Sequence, residues 1–475
     1  MDPQSFKYAI EQSFQFELTP EQKNAINCLV NFQFSNDQKS LFILRGFAGT
    51  GKTTLMSCYV KALKKQFEKF VLLAPTGRAA KVFSNTSGYK ATTVHKKIYQ
   101  KEQLSSGIIS LSLAQNLHQK TTFIIDEASM IGHMNSLTNA RDLFESRNLL
   151  EDIFNYVYAG FQCKLIFIGD EAQLPPIGSE KSTAIDADYL KKKYGFNIFT
   201  LQLVTVLRQN LQSGILFNAT SLRQKIGEPF NFKFQIEPFT DIRRINGNEL
   251  QEELEDCYHR YGSEDTILIT RSNKRANLYN QEIRNRIFWF EERISKNDLI
   301  MVVRNNYYWL DEKSEAGFIA NGEIIRVNKI CRIETKYDFL FAEIDCELID
   351  YPNMGTIQLL INLETINSLG PNLPRESMKK LFHAIEEDYI IELNKKKRYQ
   401  KVLNNPYFNA LQVKFSYAMT CHKTQGGQWS CVFIDQGYLL PNELDTNYLR
   451  WLYTALTRTT KKVYLLNFNN DFFVN

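Results

Sequence analysis

An apolar run, Leu41-Phe42-Ile43-Leu44, leads into Gly46-Phe47-Ala48-Gly49-Thr50-Gly51-Lys52-Thr53-Thr54, and a helical pattern follows to about Lys65. A glycine, four residues and then Gly-Lys-Thr, set between a strand and a helix, is the spacing of a phosphate-cradling loop. Its glycines let backbone N–H groups turn inward around a phosphate, and the helix N-terminus adds positive potential. Lys52 would reach the outer phosphates, and the Thr53 hydroxyl would hold a magnesium ion. The expected ligand is a nucleoside triphosphate, ATP with Mg2+, held by Gly46, Ala48, Gly49, Thr50, Gly51, Lys52, Thr53 and Thr54. A glycine-rich turn with a chance lysine would lack the flanking strand and helix. The loop commits the chain to an α/β fold but does not say what the nucleotide is used for.

The 475 residues exceed one ordinary core, so more than one unit is expected. Hydrophobic residues make up 44% of the chain, too many for a disordered one. The net charge of +5 allows a nucleic-acid partner without arguing for one. Eight cysteines are scattered without a Cys-x-x-Cys pair, and the six histidines do not join them at zinc-ligand spacing. They read as reduced, mostly buried thiols of a cytoplasmic or nucleoid-associated protein. The N-terminus has no apolar signal-like core. No apolar run approaches the ~20 residues of a membrane span, so no membrane partner is expected.

Short apolar runs at Leu41–Leu44, Val71–Ala74, Phe123–Ile125 and Leu165–Ile168 alternate with helical patterns, as buried parallel strands do. Two of them end in acids, Asp126-Glu127 and Gly169-Asp170. Ligands lie beyond the carboxyl ends of such strands, so these groups should converge on the phosphate loop. Thr266–Thr270, Val432–Asp435 and Val463–Leu466 predict a second parallel sheet without a phosphate loop. From Lys296 to Leu363 apolar and polar residues alternate, which predicts a small antiparallel barrel. Beyond it Met378, Leu381, Phe382, Ile385, Tyr389 and Leu393 predict one long amphipathic helix ending in Lys395-Lys396-Lys397-Arg398. That basic run is either a solvated helix end, favourable to the dipole, or a nucleic-acid contact. Tyr307, Tyr308 and Trp309 are either barrel core or a base-stacking surface.

Asp126 at a strand end fits a magnesium ligand, and Glu127 a base that deprotonates the attacking water. Phosphoryl transfer is positioning and charge neutralisation, so arginines should meet the terminal phosphate. Arg208 and Arg458 are the candidates. If both reach one nucleotide, Arg458 does so from the second sheet, ATP joins two domains, and hydrolysis releases them.

An ordered series of motifs resembles the superfamily 1B DNA helicases of the RecD and Dda type, with a P-loop NTPase half and a UvrD-like C-terminal helicase half. Leu18-Thr19-Pro20-Glu21-Gln22 resembles the adenine-reading motif, Gly46–Thr53 motif I, and Ala74-Pro75-Thr76-Gly77-Arg78-Ala79-Ala80-Lys81 motif Ia. Thr92-Thr93-Val94-His95 resembles the next DNA-facing motif, Asp126–Met130 motif II, and Gly169–Gly178 motif III. Leu207-Arg208-Gln209 resembles motif IV, Tyr417–Gly426 motif V, and Tyr453–Arg458 motif VI.

The resemblance implies two tandem RecA-like domains. Residues 1–205 would form the first, with a strand-separating pin inserted at 84–121. Residues 206–475 would form the second, with an SH3-like barrel and helical extension inserted at 290–411. It implies hydrolysis by Lys52, Glu127, Gln173, Arg208 and Arg458. Gln22 would read adenine, Gln173 would sense the terminal phosphate, and Arg208, Gln428 and Arg458 would face the nucleotide. Thr53 and Asp126 would hold the metal. Thr76, Arg78, His95, Asn273, Thr420, His422, Lys423 and Gln425 would touch single-stranded DNA, fixing its backbone without reading bases. It further implies 5′-to-3′ translocation by a monomer on single strands and single/double-strand junctions, alongside replication, repair or recombination proteins. After Gln425-Gly426 the family's small residue and acid are replaced by Gly427-Gln428, so one nucleotide-side carboxylate is missing. Tyr99 is the nearest aromatic of the pin region, and no Phe or Trp follows it there. An ATP-driven helicase, a translocase that strips bound proteins or serves a recombination complex, and an ATP-operated switch share these motifs. No separate nuclease constellation stands outside them.

Overall fold

The computed structural model describes residues 2–15, 17–103, 109–132, 148–206, 213–311, 313–370, 372–440 and 443–474. The first sheet uses β1 (Ser40–Gly46), β2 (Lys69–Ala74), β3 (Ala91–Thr93), β6 (Thr121–Ile125), β7 (Lys164–Gly169) and β8 (Asn197–Leu203). Between them β4 (Tyr99–Gln103) and β5 (Ile109–Leu113) form a separate antiparallel hairpin. The sheet order is β3-β2-β6-β7-β1-β8, with every pair parallel. Side chains of a strand alternate between faces, and β1 divides its apolar run accordingly. Phe42 and Leu44 pack under helices Pro20–Phe34 and Lys52–Lys65, while Leu41 and Ile43 pack against helix Leu149–Ala159. Burial on both faces is why these strands read as continuous apolar runs.

The second sheet is also parallel. Its strands are β9 (Ile242–Ile245), β10 (Thr266–Thr270), β16 (Ala418–Thr420), β17 (Trp429–Asp435) and β18 (Thr459–Leu466), in the order β16-β10-β17-β18-β9. Between β10 and β16 the chain makes a closed barrel of β11 (Leu299–Val302), β12 (Ile324–Lys336), β13 (Phe339–Leu348), β14 (Ile357–Asn362) and β15 (Leu411–Phe415). Arg284, on helix Asn273–Arg286, fixes the barrel base through a two-pronged pair with buried Asp298, both contacts at 2.9 Å. Tyr417 donates to the same carboxylate at 3.0 Å. Among the described residues, no helix is long and apolar enough to cross a membrane.

Three expectations are corrected. The inserted barrel continues past residue 411, because β15 bonds antiparallel to β11 and parallel to β14 and so closes it. Within 84–121, helix Gly77–Ser87 and β3 belong to the first domain's own layers, and the inserted element is the β4–β5 hairpin. The expected long helix is two, Arg375–Glu387 and Lys395–Leu403. Asn394 is a strong N-cap, and it accepts the Lys396 and Lys397 N–H groups at 3.0 and 3.2 Å. Leu393 is 92% exposed, so the apolar stripe ends before it. The lysine run therefore opens a helix, where the dipole opposes it. Of the aromatic run, Trp309 donates to the Asn409 carbonyl at 2.8 Å and Tyr307 lies against Phe318 at 4.9 Å.

The barrel also rests on the first domain. Lys81 pairs with Asp350 at 3.3 Å, Lys90 pairs with Glu315 at 3.7 Å, and Lys96 donates to the Ser314 and Glu315 carbonyls. Glu323 lies against Gly77, where any Cβ would collide with its carboxylate. Among the described residues neither Glu323 oxygen makes a well-aligned hydrogen bond, and the Tyr351 hydroxyl gives only a weak one. Burial, with Asp350 adding to it, holds this carboxyl well above its ordinary value of 4.5, against weaker pulls from Tyr351 and Lys81. A raised folded-state pKa gives stability that is present at low pH and is lost as pH rises through that value. E323Q should therefore raise the melting temperature near neutrality. The gain should shrink as pH falls toward 4.5, and a gain independent of pH would refute this account.

Candidate nucleotide site and interdomain seam

Gly49 and Gly51 adopt φ of 76° and 83°, left-handed values that bend the loop at the end of β1 into a cradle. Gly51 precedes helix Lys52–Lys65 without a side-chain cap, and the first turn carries no acid. Its leading N–H groups are therefore suited to an anion. Lys52 folds back to donate to the Gly46 and Phe47 carbonyls at 2.6 and 2.9 Å.

Asp126 and Glu127 follow β6, beside β7 and the loop strand beyond it. Burial, then the charge of Glu127, pushes the Asp126 carboxyl up to about 7, while Lys52 pulls it down. A partly compensated carboxylate fits a magnesium site, since that ion takes one or two carboxylates and leaves other positions for phosphate and water. Thr53 and Asp126 are the residues that would hold it. Glu127 has φ of 50°, a strained value for a non-glycine residue. Its carboxylate lies 3.7 Å from Arg458 of the second domain. Arg458 is buried and donates also to the Thr454 and Gly427 carbonyls at 3.1 and 3.2 Å.

The seam has further links. Tyr453, on helix Thr446–Leu456, donates to Asp170 at 2.7 Å and accepts the Ala48 N–H at 2.8 Å. Thr454 accepts the Leu174 N–H at 2.8 Å. Burial raises the Asp170 pKa, and Lys52 and Tyr453 counter it. Asp170 is expected from the sequence to converge on the phosphate loop, and it does; Tyr453 lies inside a motif visible in the sequence but has no role there, because only the fold brings it to Asp170 and Ala48.

The other expected residues divide into groups. Gln22 is buried in a capping box, its Oε1 accepting the Thr19 N–H at 3.0 Å, which leaves its amide nitrogen as the donor for a base. Gln173 is buried, with its Oε1 unpartnered. Arg208 lies outside the described residues. The Gln428 side chain is exposed and only its carbonyl is engaged, by Arg78 at 3.1 Å. At that turn Gly427, in place of Gln428, meets Arg458.

Two expected strand contacts lie in the seam. Gln425 is buried and donates to the Leu174 carbonyl at 2.7 Å, and Arg78 stacks 4.0 Å over Trp429. The rest sit at strand ends. Thr76 follows β2 and caps helix Gly77–Ser87. His95 follows β3, and burial lowers its pKa to about 4. Asn273 opens the helix after β10, and Thr420 ends β16 just before His422 and Lys423.

Residues 17–223 match the AAA domain family, and residues 415–466 match the UvrD-like helicase C-terminal domain. The ATP-dependent DNA helicase dda of Enterobacteria phage T4 is 27% identical over 341 residues, covering 69% of this chain and 70% of that protein. The RecBCD enzyme subunit RecD of Buchnera aphidicola is 23% identical over 474 residues, covering 89% of this chain and 70% of that protein. Among solved structures, Pif1 helicase from Bacteroides in complex with ADP-AlF3 and ssDNA aligns with TM-score 0.48 at 15% identity. That alignment covers 97% of this chain and 95% of that one. With an AAA match at the phosphate loop, a helicase match at the Tyr453–Arg458 end and the two meeting across one seam, the chain is similar to the superfamily 1B helicases of the RecD and Dda type.

Proposed function

We propose that this helicase hydrolyses ATP between its two sheets to travel 5′ to 3′ along single-stranded DNA and part the duplex ahead of it. The observation that carries the reading is the ion pair from Arg458 of the second domain to Glu127 of the first. It brings the expected base and an expected phosphate-neutralising group together across the seam.

On this reading Lys52 leaves the Gly46 and Phe47 carbonyls for the outer phosphates of ATP, and Arg458 turns from Glu127 to the terminal phosphate. Glu127, so released, accepts the proton of the attacking water. Bound Mg2+ would add charge neutralisation at the phosphates. Gln22 meets the base through its amide, and Gln173 reads the terminal phosphate. Thr76, His95, Asn273, Thr420, His422 and Lys423 hold the strand across both sheets. The β4–β5 hairpin, projecting from the first domain, serves as the pin. The curated dda relative is named a DNA helicase, which supports this reading.

Lys52→Ala should abolish ATP turnover, and substantial residual turnover would remove the phosphate-loop assignment. Glu127→Gln should bind nucleotide and DNA while kcat falls at least ~100-fold; normal turnover would place the base elsewhere. Tyr453→Phe removes the hydroxyl shared by Asp170 and Ala48, leaving a buried carboxylate short of a donor. It should cost about 1–3 kcal/mol in chemical denaturation and lower DNA-stimulated turnover; unchanged values for both would deny the seam its role. Strand displacement on tailed duplexes tests polarity. Unwinding from a 5′ tail is expected, unwinding only from a 3′ tail would reverse the assignment, and DNA-stimulated ATPase without unwinding would favour a translocase.

A further inference from the structure

Helix Gly214–Gln224 belongs to the second domain, where it packs on helix Thr446–Leu456. Near its end Arg223 reaches back to the first domain. Its guanidinium carbon lies 4.3 Å from the centre of the Phe47 ring, inside the phosphate loop. Nη2 donates to the Val204 carbonyl at 2.8 Å. Nη1 is buried and meets no acceptor among the described residues.

The nearby acids are committed elsewhere. Asp170 accepts from Tyr453 and the Ala172 N–H. Glu21 accepts the Val204 and Thr205 N–H groups and the Thr205 hydroxyl, at 2.8, 3.0 and 2.8 Å. Asp170, Glu21 and Tyr453 exert only a weaker, longer-range pull against the burial that lowers the Arg223 pKa. Arginine does not shed its proton in a protein, so this group needs a counter-ion, and a buried polar atom without a partner calls for an explanation. A phosphate is the anion that a guanidinium at the lip of this loop would take.

We propose that Arg223 is a phosphate-contacting residue supplied by the second domain, its Nη1 donating to the terminal phosphate of the nucleoside triphosphate held by the Gly46–Thr53 loop. The proposal rests on the nucleotide-site reading above and adds a contact beside Arg208 and Arg458. It also gives that contact an outlet. Arg223 and Glu21 both bond Val204, and Glu21 bonds Thr205 as well, where the chain leaves β8 for the second domain. Loss of the terminal phosphate would therefore be felt at the crossover between domains.

The test measures binding of ADP and of a non-hydrolysable ATP analogue, without DNA, to the full chain and to R223M, R223K and K52A. Methionine keeps an unbranched stem against Phe47 and removes the charge. R223M should weaken the ATP analogue about tenfold or more and ADP less than about threefold, with R223K recovering part of the loss. ATP-analogue affinity unchanged within about twofold, or an equal loss for both nucleotides, would overturn the proposal and leave Arg223 as packing on Phe47. If a melting curve shows R223M unfolded, the ATP-to-ADP ratio for R223K decides by the same criterion. K52A should lose both nucleotides. Retained binding in K52A would fell the phosphate-loop reading itself, an outcome separable from any result at Arg223.

Discussion

One hydroxyl connects the moving parts. Tyr453 accepts an N–H from the phosphate loop at Ala48 and donates to Asp170 at the end of β7, while its own helix belongs to the second domain. A tyrosine hydroxyl is a donor and an acceptor at once, so it can take both bonds, and both are in a buried setting where an unmade bond is costly. The loop cannot tighten around a phosphate without shifting the Ala48 N–H. That shift must be absorbed by the Tyr453 helix or by Asp170. The neighbouring Thr454 accepts the Leu174 N–H and ties the same helix to the first domain a second time, and Gln425 holds the Leu174 carbonyl from the end of a different helix of the second domain. On the proposed reading, motion of the loop would pass to the second domain through these bonds.

The charges around the cradle show how a nucleotide would be exchanged for protein partners. Lys52 rests on loop carbonyls, Arg458 rests on Glu127, and Asp126 is pushed up to about 7 by burial and then by the charge of Glu127. The Lys52 bonds are weaker than those a triphosphate would offer it, because charge-assisted bonds to phosphate exceed bonds to neutral carbonyls. Binding then replaces internal contacts and does not merely add to them. On the proposed reading it would free Glu127, the residue whose left-handed backbone already holds it in an unfavourable conformation.

What the sequence discloses and what it hides follow a physical division. The phosphate loop, the strands before Asp126 and Asp170 and the barrel texture are local patterns, set by burial on one or two faces, and they are legible. The roles of Tyr453, Arg78, Gln425 and Arg223 depend on partners hundreds of residues away across the seam, and hydrophobic periodicity carries no sign of which domain a buried residue will meet. The helical extension went the other way. The apolar stripe holds at Met378, Leu381 and Ile385, and its spacing runs on to Leu393, where the Asn394 cap starts a new helix. A cap is a local signal, but a regular spacing that fits for three turns masks it.

The residues proposed to touch DNA are poor charges. Burial, and then Lys414, lowers Lys423 to about 8; burial lowers His95 to about 4 and pulls His422 down as well. Neutral imidazoles beside a single lysine, which at about 8 stays mostly charged at neutral pH, cannot grip a phosphate backbone as a row of solvated arginines would. Thr76, Thr420 and Asn273 add hydroxyl and amide groups. Such a track holds a strand by many modest bonds and few ion pairs, so its affinity should depend on salt less steeply than that of a protein neutralising a phosphate at every contact. A weakly charged track also suits a motor, because each step must break the contacts that the previous step made, and modest bonds can be broken within the free energy of one ATP.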